Sequence, residues 1–178
     1  VLDAAAKRGI ALEYSTLGPG FKVTASVDAT AVGYVSGFSV PLFDGGYVHF
    51  DEMRVLNKEL RAMRDAGKRK KKVLTGNEQM LRQQNVVGAF GTGLLMGMYA
   101  MCTLRDSGCK TAELLAINDN EYQYRKLVKY YERMGFTRVR EVGSGESPWY
   151  VDLGDQLVWG GCGCLMRAEV KDVIDQWT

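Results

Sequence analysis

The first third of the sequence alternates apolar segments with turn residues, and this pattern constrains the fold most. Between Phe21 and Val27, polar side chains alternate with apolar ones, as in a strand with one wet face and one buried face. Similar segments flank it, separated by short turns rich in glycine and aspartate. The predicted strands are Ile10–Ser15, Phe21–Val27, Val32–Val40 and Tyr47–Leu56. We expect an antiparallel meander whose apolar face is covered by helices.

The second half of the sequence supplies the helices and further strands. An apolar helix is predicted over Leu94–Leu104, and an interior strand over Ala112–Ile117. The spacing of apolar residues predicts an amphipathic helix over Glu121–Met134, capped by asparagine and ended by Gly135. The remaining predicted elements are strands over Phe136–Val142 and Leu157–Trp159 and a helix over Glu169–Trp177. This order predicts a mixed α/β (α+β) fold with flanking helices.

Length and composition are those of a folded domain. The chain has 178 residues, of which 46% are hydrophobic and 25% are charged, so we predict one domain over residues 1–178. The longest apolar stretch is interrupted by glycines, and no run of about eighteen apolar residues exists. We therefore expect no transmembrane segment.

Positive charge is concentrated in one segment. Residues 54–82 include ten basic and three acidic residues, a net charge of +7. Because the whole chain has a net charge of +2, the other residues carry a net charge of −5. We interpret residues 58–84 as a basic insertion, solvated or able to contact an acidic protein partner. No aromatic residue interleaves the lysines, which argues against nucleic-acid binding. The lysines expected to meet an acidic partner are Lys70, Lys71 and Lys72.

The cysteines do not form a recognisable metal site. The pair Cys162 and Cys164 has a single intervening residue, and the one histidine, His49, is distant in sequence. We therefore predict no metal and free thiols in a reducing compartment. The chain begins with Val1, so a removed presequence or a trimmed chain is considered.

A glycine-rich stretch precedes the apolar helix. Backbone amides at the start of a helix lack intrahelical acceptors, and the helix dipole adds positive potential there. Gly91 and Gly93 would let a diphosphate approach the backbone, and Thr92 would add a hydroxyl donor. Close packing of glycines in the helix is the alternative interpretation.

The order of elements and several motifs resemble the GNAT acyltransferase family. The motifs are Val32-Gly33-Tyr34-Val35-Ser36-Gly37, Gly91-Thr92-Gly93, the strand before Asn118 and, above all, Tyr131-Glu132-Arg133-Met134-Gly135-Phe136. The resemblance covers about Ile10–Val142 and implies a mostly antiparallel, twisted sheet. Residues 157–178 would be a strand–helix extension, and Leu157–Gly161 is similar to uncharacterised plant and algal plastid members.

This resemblance implies an acetyl-CoA-dependent N-acetyltransferase that acts by direct attack of an amine. The acceptor would be an amine-bearing small molecule or a protein. The family binds the pyrophosphate on the turn before the helix and the pantetheine between two neighbouring strands, here 47–56 and 112–117. The implied cofactor-binding residues are Val55, Gly88, Gly91, Thr92, Gly93 and Asn118.

Two residues are implied in catalysis. Tyr131 matches the family tyrosine that protonates the leaving thiolate, although an aromatic at this spacing also suits helix packing. Glu52 is the candidate base for the acceptor amine, with Asp51 and His49 on the same strand as alternatives. Strand alternation allows only some of these three to face one side.

The sequence also departs from the family pattern. Gly88 stands where the family has arginine or glutamine, and Tyr124 where it has asparagine. Gly18-Pro19-Gly20 replaces the two helices that normally shape the acceptor side. These departures leave open a catalytically inactive GNAT-like subunit of a larger plastid complex, photosynthetic or otherwise. The predicted location is the plastid, with the cytoplasm as the alternative.

Overall fold

The computed structural model of the chain describes residues 1–40, 45–62, 88–143 and 159–178. The predicted meander is present and is followed by helices and further strands, and a short helix that was not predicted precedes it. The elements are α1 (Leu2–Ala6), β1 (Ala11–Leu17), β2 (Gly20–Val27), β3 (Thr30–Val40), β4 (Gly46–Val55), α2 (Ala89–Asp106), β5 (Cys109–Ile117), α3 (Glu121–Met134), β6 (Thr137–Val142), β7 (Gly163–Glu169) and α4 (Val170–Trp177).

The strands form one seven-stranded sheet in the order β1-β2-β3-β4-β5-β7-β6. β1 pairs with β2 in antiparallel register, and β7 pairs in the same way with both β5 and β6. β4 and β5 run parallel, with pairing from Gly46–Cys109 to Phe50–Leu114. The predicted mixed α/β class with a mostly antiparallel sheet and flanking helices is confirmed.

Contacts divide the chain into two compact units. Unit 1 comprises Val1–Ser36 and Glu52–Ala100, and unit 2 comprises Gly37–Asp51 and Met101–Thr178. The elements β3, β4 and α2 contribute residues to both units. We describe the interior of each unit separately.

Unit 1 is built on the β1–β2 hairpin and the first part of α2. Alternation along β2 buries Val23 and Ala25 completely, as its sequence pattern predicts. Gly33 on β3 has no side chain because a Cβ there would lie 2.8 Å from the Arg54 carbonyl oxygen and 3.0 Å from Met96 Cε. Such a close approach of backbone and side chain requires glycine.

Unit 2 contains the helix whose limits the sequence predicts best. The side chain of Asn120 accepts hydrogen bonds from the amides of Tyr122 and Gln123, which caps the start of α3. Gly135 ends the helix in the left-handed conformation, with φ 103°. Val128 and Met134 are among the side chains that α3 buries. The predicted bounds Glu121–Met134 are confirmed.

Strand β7 differs from the prediction. A strand was predicted over Leu157–Trp159, but Trp159 does not lie in a strand in the structure. The other two residues lie outside the described residues. The strand that pairs β5 with β6 is instead Gly163–Glu169, and α4 follows it directly. Pairing with β5 and β6 places this strand inside the sheet, where Cys164, Leu165 and Met166 are buried.

Only the start of the predicted insertion is described. Residues 57–62 are helical and bury Leu60, where an open loop was predicted. Burial of this leucine explains the local helix, because an apolar side chain gains free energy by leaving water. Lys70, Lys71 and Lys72 lie outside the described residues, so their contact with an acidic partner remains a prediction.

Candidate functional site

The amino end of α2 lies in unit 1, where the phosphate-binding turn was predicted. Gly88 is exposed and precedes the first helical residue, and no described atom would lie within 4 Å of a Cβ placed on it. Gly91 belongs to the first turn of the helix. In an α-helix the amides of this turn have no intrahelical acceptor, so the helix end offers donors and a positive dipole to an anion.

Two of the predicted donors are used inside the helix. The Thr92 amide donates to the Gly88 carbonyl at 3.0 Å, and the Thr92 hydroxyl donates to the same oxygen at 3.3 Å. Gly93 follows inside the helix, where its amide is directed at the preceding turn. The prediction of outward donors at Thr92 and Gly93 is therefore wrong. The reason is that α2 begins at Ala89, five residues before the predicted start, and fully buries Thr92.

Val55 is the last residue of β4, also in unit 1. The amide of the next residue, Leu56, donates to the Val32 carbonyl at 2.8 Å and so points towards β3. Successive amides of an extended chain point to opposite edges, which directs the Val55 amide away from β3. This orientation is compatible with the predicted role of Val55 as a donor to a thioester oxygen.

Glu52 is held by neighbours in unit 1. Its carboxylate pairs with Arg54 at 3.0 Å. Interaction with Glu52 is the main cause that raises the pKa of Tyr34, whose ring is also approached by the Lys22 ammonium at 4.6 Å. The predicted base Glu52 is thus part of an exposed polar cluster, and its catalytic role remains a prediction.

Asn118 and Tyr124 occupy the end of β5 and the start of α3. The Asn118 amide donates to the Cys162 carbonyl at 2.8 Å, while its side chain is exposed. The Tyr124 hydroxyl donates to Glu141 at 2.6 Å, which joins α3 to β6. Tyr124 therefore has a structural hydrogen bond at the position where the family has asparagine, and Asn118 remains a predicted cofactor ligand.

Tyr131 is buried in unit 2. Its ring contacts those of Tyr130 and Phe136, and the residue is 8% exposed. Burial raises the pKa of Tyr131 to about 12. No hydrogen-bond partner for its hydroxyl is found within the described ranges of the chain. A buried hydroxyl without a partner costs free energy.

A polar chain that we call the His49 network lies on β4 and β5 in unit 2, and it consists of Asp51, His49, Tyr47 and Glu113. His49 Nε2 lies 2.8 Å from Asp51 Oδ1, and His49 Nδ1 lies 3.5 Å from the Tyr47 hydroxyl. The nearby carboxylate of Glu113 forms an ion pair with Arg167 on β7. The parallel register places Glu113 directly opposite His49.

Aromatic rings cover both faces of the His49 imidazole. Phe38 stacks on it with a centroid distance of 4.5 Å, and Trp159 stacks on it at 4.2 Å. The residue is only 2% exposed. Burial lowers the pKa of His49, although the neighbouring Asp51 acts in the opposite direction. Burial likewise raises the pKa of Tyr47 to about 12, with Glu113 as a second cause.

His49 and Asp51 were expected as alternatives to Glu52, and alternation allowed only some of the three to face one side. In the structure His49 contacts Asp51, whereas Glu52 contacts Arg54. Glu113, Arg167 and the covering rings were missed, because they depend on the registers of β5 and β7. The only sequence signal for them is a glutamate inside an otherwise apolar strand.

Two kinds of feature are not found in the described part of the chain. It has no group of three histidine, cysteine, aspartate or glutamate side chains arranged to hold a metal ion. None of its helices combines the length and apolar character needed to cross a membrane.

Comparisons with known proteins concern the fold. No protein-family model and no curated protein matches the sequence. A protein from Desulfovibrio desulfuricans assigned to the GNAT family of acetyltransferases matches with a TM-score of 0.52 and 16% identity, over 85% of this chain and 70% of that chain. The ribosomal-protein-S18-alanine N-acetyltransferase from Escherichia coli matches with a TM-score of 0.49 and 10% identity, over 94% and 76% of the two chains. The match with the Desulfovibrio desulfuricans protein supports the fold. In its fold, the chain is similar to GNAT acetyltransferases.

Proposed function

We propose that the chain transfers an acetyl group from acetyl-CoA to an amine. The GNAT-like fold supports acyl transfer in general. The observation that carries the proposal is the Tyr131 hydroxyl, which is buried and has no hydrogen-bond partner among the described residues. It stands at the position where the family places a proton donor, and a bound thioester would give it a partner.

The residues that would hold the pyrophosphate and the thioester of acetyl-CoA lie in unit 1. Gly88 and Gly91 at the amino end of α2 would bind the pyrophosphate, since an open helix start offers amides and a positive dipole to an anion. The Val55 amide would hydrogen-bond to the thioester oxygen and stabilise negative charge there. When bound, acetyl-CoA supplies an activated acetyl group with a thiolate leaving group. The acceptor would be the amine of a small molecule or of a protein.

Tyr131 would act on the leaving thiolate as a hydrogen-bond donor. Because burial raises its pKa to about 12, the phenol stays protonated throughout the physiological pH range. A thiol has a lower pKa than this phenol, about 8–9. Complete proton transfer from Tyr131 to the thiolate is therefore unfavourable, and we expect Tyr131 to contribute a hydrogen bond to the thiolate. We accordingly expect no loss of rate through Tyr131 ionisation below about pH 11.

Tyr131→Phe is the direct test of this role. We expect kcat to fall roughly 100-fold, because the variant lacks the only hydroxyl at this position. Stability should be unchanged or slightly higher, since a buried hydroxyl without a partner is removed while the ring packing remains. The measurements are steady-state acetyl transfer and thermal unfolding. Tyr130→Phe, on the neighbouring ring, is the matched control.

An unchanged kcat in Tyr131→Phe would remove the assigned role. A lowered kcat accompanied by an equally lowered kcat in Tyr130→Phe would point to helix packing instead, since the two rings contact each other.

A further inference from the structure

The two edge strands of the sheet differ in how they are protected. The strand order begins with β1 and ends with β6, so these two strands form the edges. An edge strand presents backbone amides and carbonyls to which a further strand can pair, and charged residues and bulges protect such an edge. β6 has both kinds of protection, because it contains three charged residues and its register shifts between Arg138 and Arg140.

β1, in unit 1, has little of this protection. All seven of its residues pair with β2 without a register shift, and Glu13 is its one charged residue. None of the seven is buried, and Leu17 is 90% exposed. The preceding helix α1 has five residues and spans about 7.5 Å, whereas β1 spans about 24 Å. α1 is therefore too short to cover this edge, and no other described strand pairs with it.

The hairpin turn determines which backbone groups of β1 point outwards. Leu17 pairs with Gly20 across a two-residue turn that begins at Gly18, which has φ 59°. The residues that flank such a turn are joined by backbone hydrogen bonds, so the polar backbone groups of Leu17 point to β2. The direction alternates along an antiparallel strand. The amides and carbonyls of Leu12 and Thr16 are consequently directed to the edge of the sheet.

The sequence of β1 is self-complementary about its centre. When two copies of the strand run antiparallel with a two-fold axis at Tyr14, all seven residues of each copy have a partner. Leu17 then gains an apolar neighbour, and Glu13 does not lie opposite its own copy. The pairs in this register, each of which occurs twice, are Ala11 with Leu17, Leu12 with Thr16 and Glu13 with Ser15.

The charges near β1 also favour this pairing. Ser15 lies opposite Lys22 on β2 of its own chain and would lie opposite Glu13 of the second copy. Residues directly opposite each other point to the same face of a sheet. Lys22 and the second copy's Glu13 would thus be opposite charges in one row, two strand spacings or about 10 Å apart. This distance is about one Debye length at 0.1 M salt, so the attraction is only partly screened.

We propose that β1 is an interaction surface for a second copy of this chain, which pairs through its own β1 in antiparallel orientation. Backbone hydrogen bonds between the two edges and the symmetric side-chain pairs hold the copies together. The contact is isologous, and it closes after two copies because each β1 covers the other. A single pair of seven-residue strands is a small interface, so we expect a weak dimer that dissociates on dilution.

Sedimentation velocity of the full chain tests the dimer. We expect a shift from monomer to dimer as the protein concentration rises from about 1 μM to about 1 mM. No acetyl-CoA is needed in this measurement, so its outcome is independent of the proposed function.

Ser15→Glu and Ser15→Lys form a matched pair of variants. In the dimer, Ser15→Glu places like charges opposite each other, whereas Ser15→Lys places a cation opposite Glu13. Because each contact occurs twice, we expect the dissociation constant to rise roughly tenfold in the first variant and to fall roughly tenfold in the second. Within one chain the signs are reversed, since Lys22 lies opposite residue 15. Thermal unfolding of the dilute monomers should therefore show Ser15→Glu to be the more stable variant.

Thr16→Pro tests the backbone pairing. Proline lacks the amide hydrogen that Thr16 directs to the edge, and it is tolerated on edge strands. We expect the dissociation constant to rise at least roughly tenfold, with a monomer whose circular dichroism is that of the wild type. Val139→Glu, at an exposed position of β6, is the control and should keep the wild-type dissociation constant.

Three outcomes would overturn the proposal. The first is a folded wild-type protein that stays monomeric at the highest concentration. The second is a dimer whose dissociation constant changes in Val139→Glu but not in Thr16→Pro, because its interface would lie elsewhere. The third is a change in the same direction in both Ser15 variants, which would contradict the antiparallel register.

Discussion

Gly163→Ala is expected to lower the free energy of unfolding by at least about 3 kcal/mol. A Cβ at this position would lie 2.1 Å from the Ala116 carbonyl oxygen, and backbone atoms cannot move aside without breaking the β5–β7 pairing. Gly163 also has φ 159° and pairs with Val142 on β6. The substitution therefore disturbs three strands of unit 2. The measurement is equilibrium unfolding in urea.

Gly161→Ala is the matched control for this prediction. No described atom would lie within 4 Å of a Cβ on Gly161, and its φ is outside the left-handed region. We expect a change within about 0.5 kcal/mol, as is usual at positions without close contacts. Equal stabilities of the two alanine variants would contradict the account of β7.

Arg167→Met is expected to lower the free energy of unfolding by about 3 kcal/mol at neutral pH. The guanidinium forms an ion pair with Glu113, whose side chain is 8% exposed. Removing the cation leaves a buried carboxylate without its ion-pair partner. The cost arises mainly from the desolvated charge that remains, since the alkyl part of methionine preserves packing. Urea unfolding at constant ionic strength measures it.

The double variant Glu113→Gln/Arg167→Met separates charge from packing. A neutral amide in place of the buried carboxylate should restore most of the lost stability, because it leaves no unpaired charge in the interior. The two single substitutions should therefore be strongly non-additive. If the double variant is as unstable as Arg167→Met, then the effect is due to lost packing of the arginine stem.

Local sequence signals account for much of the fold. Asn120 and Gly135 fix the ends of α3, and alternation in β2 identifies its buried face. Strand β7 was not predicted at Gly163–Glu169, because what makes this segment a strand is its pairing with β5 and β6. The start of α2 was placed too late, because Gly91 and Gly93 have a low helix propensity, although both lie inside the helix.

The candidate site could be predicted only in part for the same reason. His49 and Asp51 are two residues apart on one strand, so alternation alone predicts that they share a face. Glu113 lies opposite His49 and Trp159 stacks on it, but both residues are far away from His49 in the sequence. Alternation along one strand therefore cannot predict these neighbours. The roles of Tyr131 and of the glycines before α2 come from the resemblance to the GNAT family, and they remain proposals.

Isothermal titration calorimetry with acetyl-CoA tests the central claim most directly. We predict binding in the micromolar range that is lost in Gly88→Trp, whose side chain would cover the amino end of α2 without disturbing its packing. Gly161→Trp, equally open to solvent, should bind as the wild type does. A folded wild-type protein without binding would contradict the account and favour the catalytically inactive subunit.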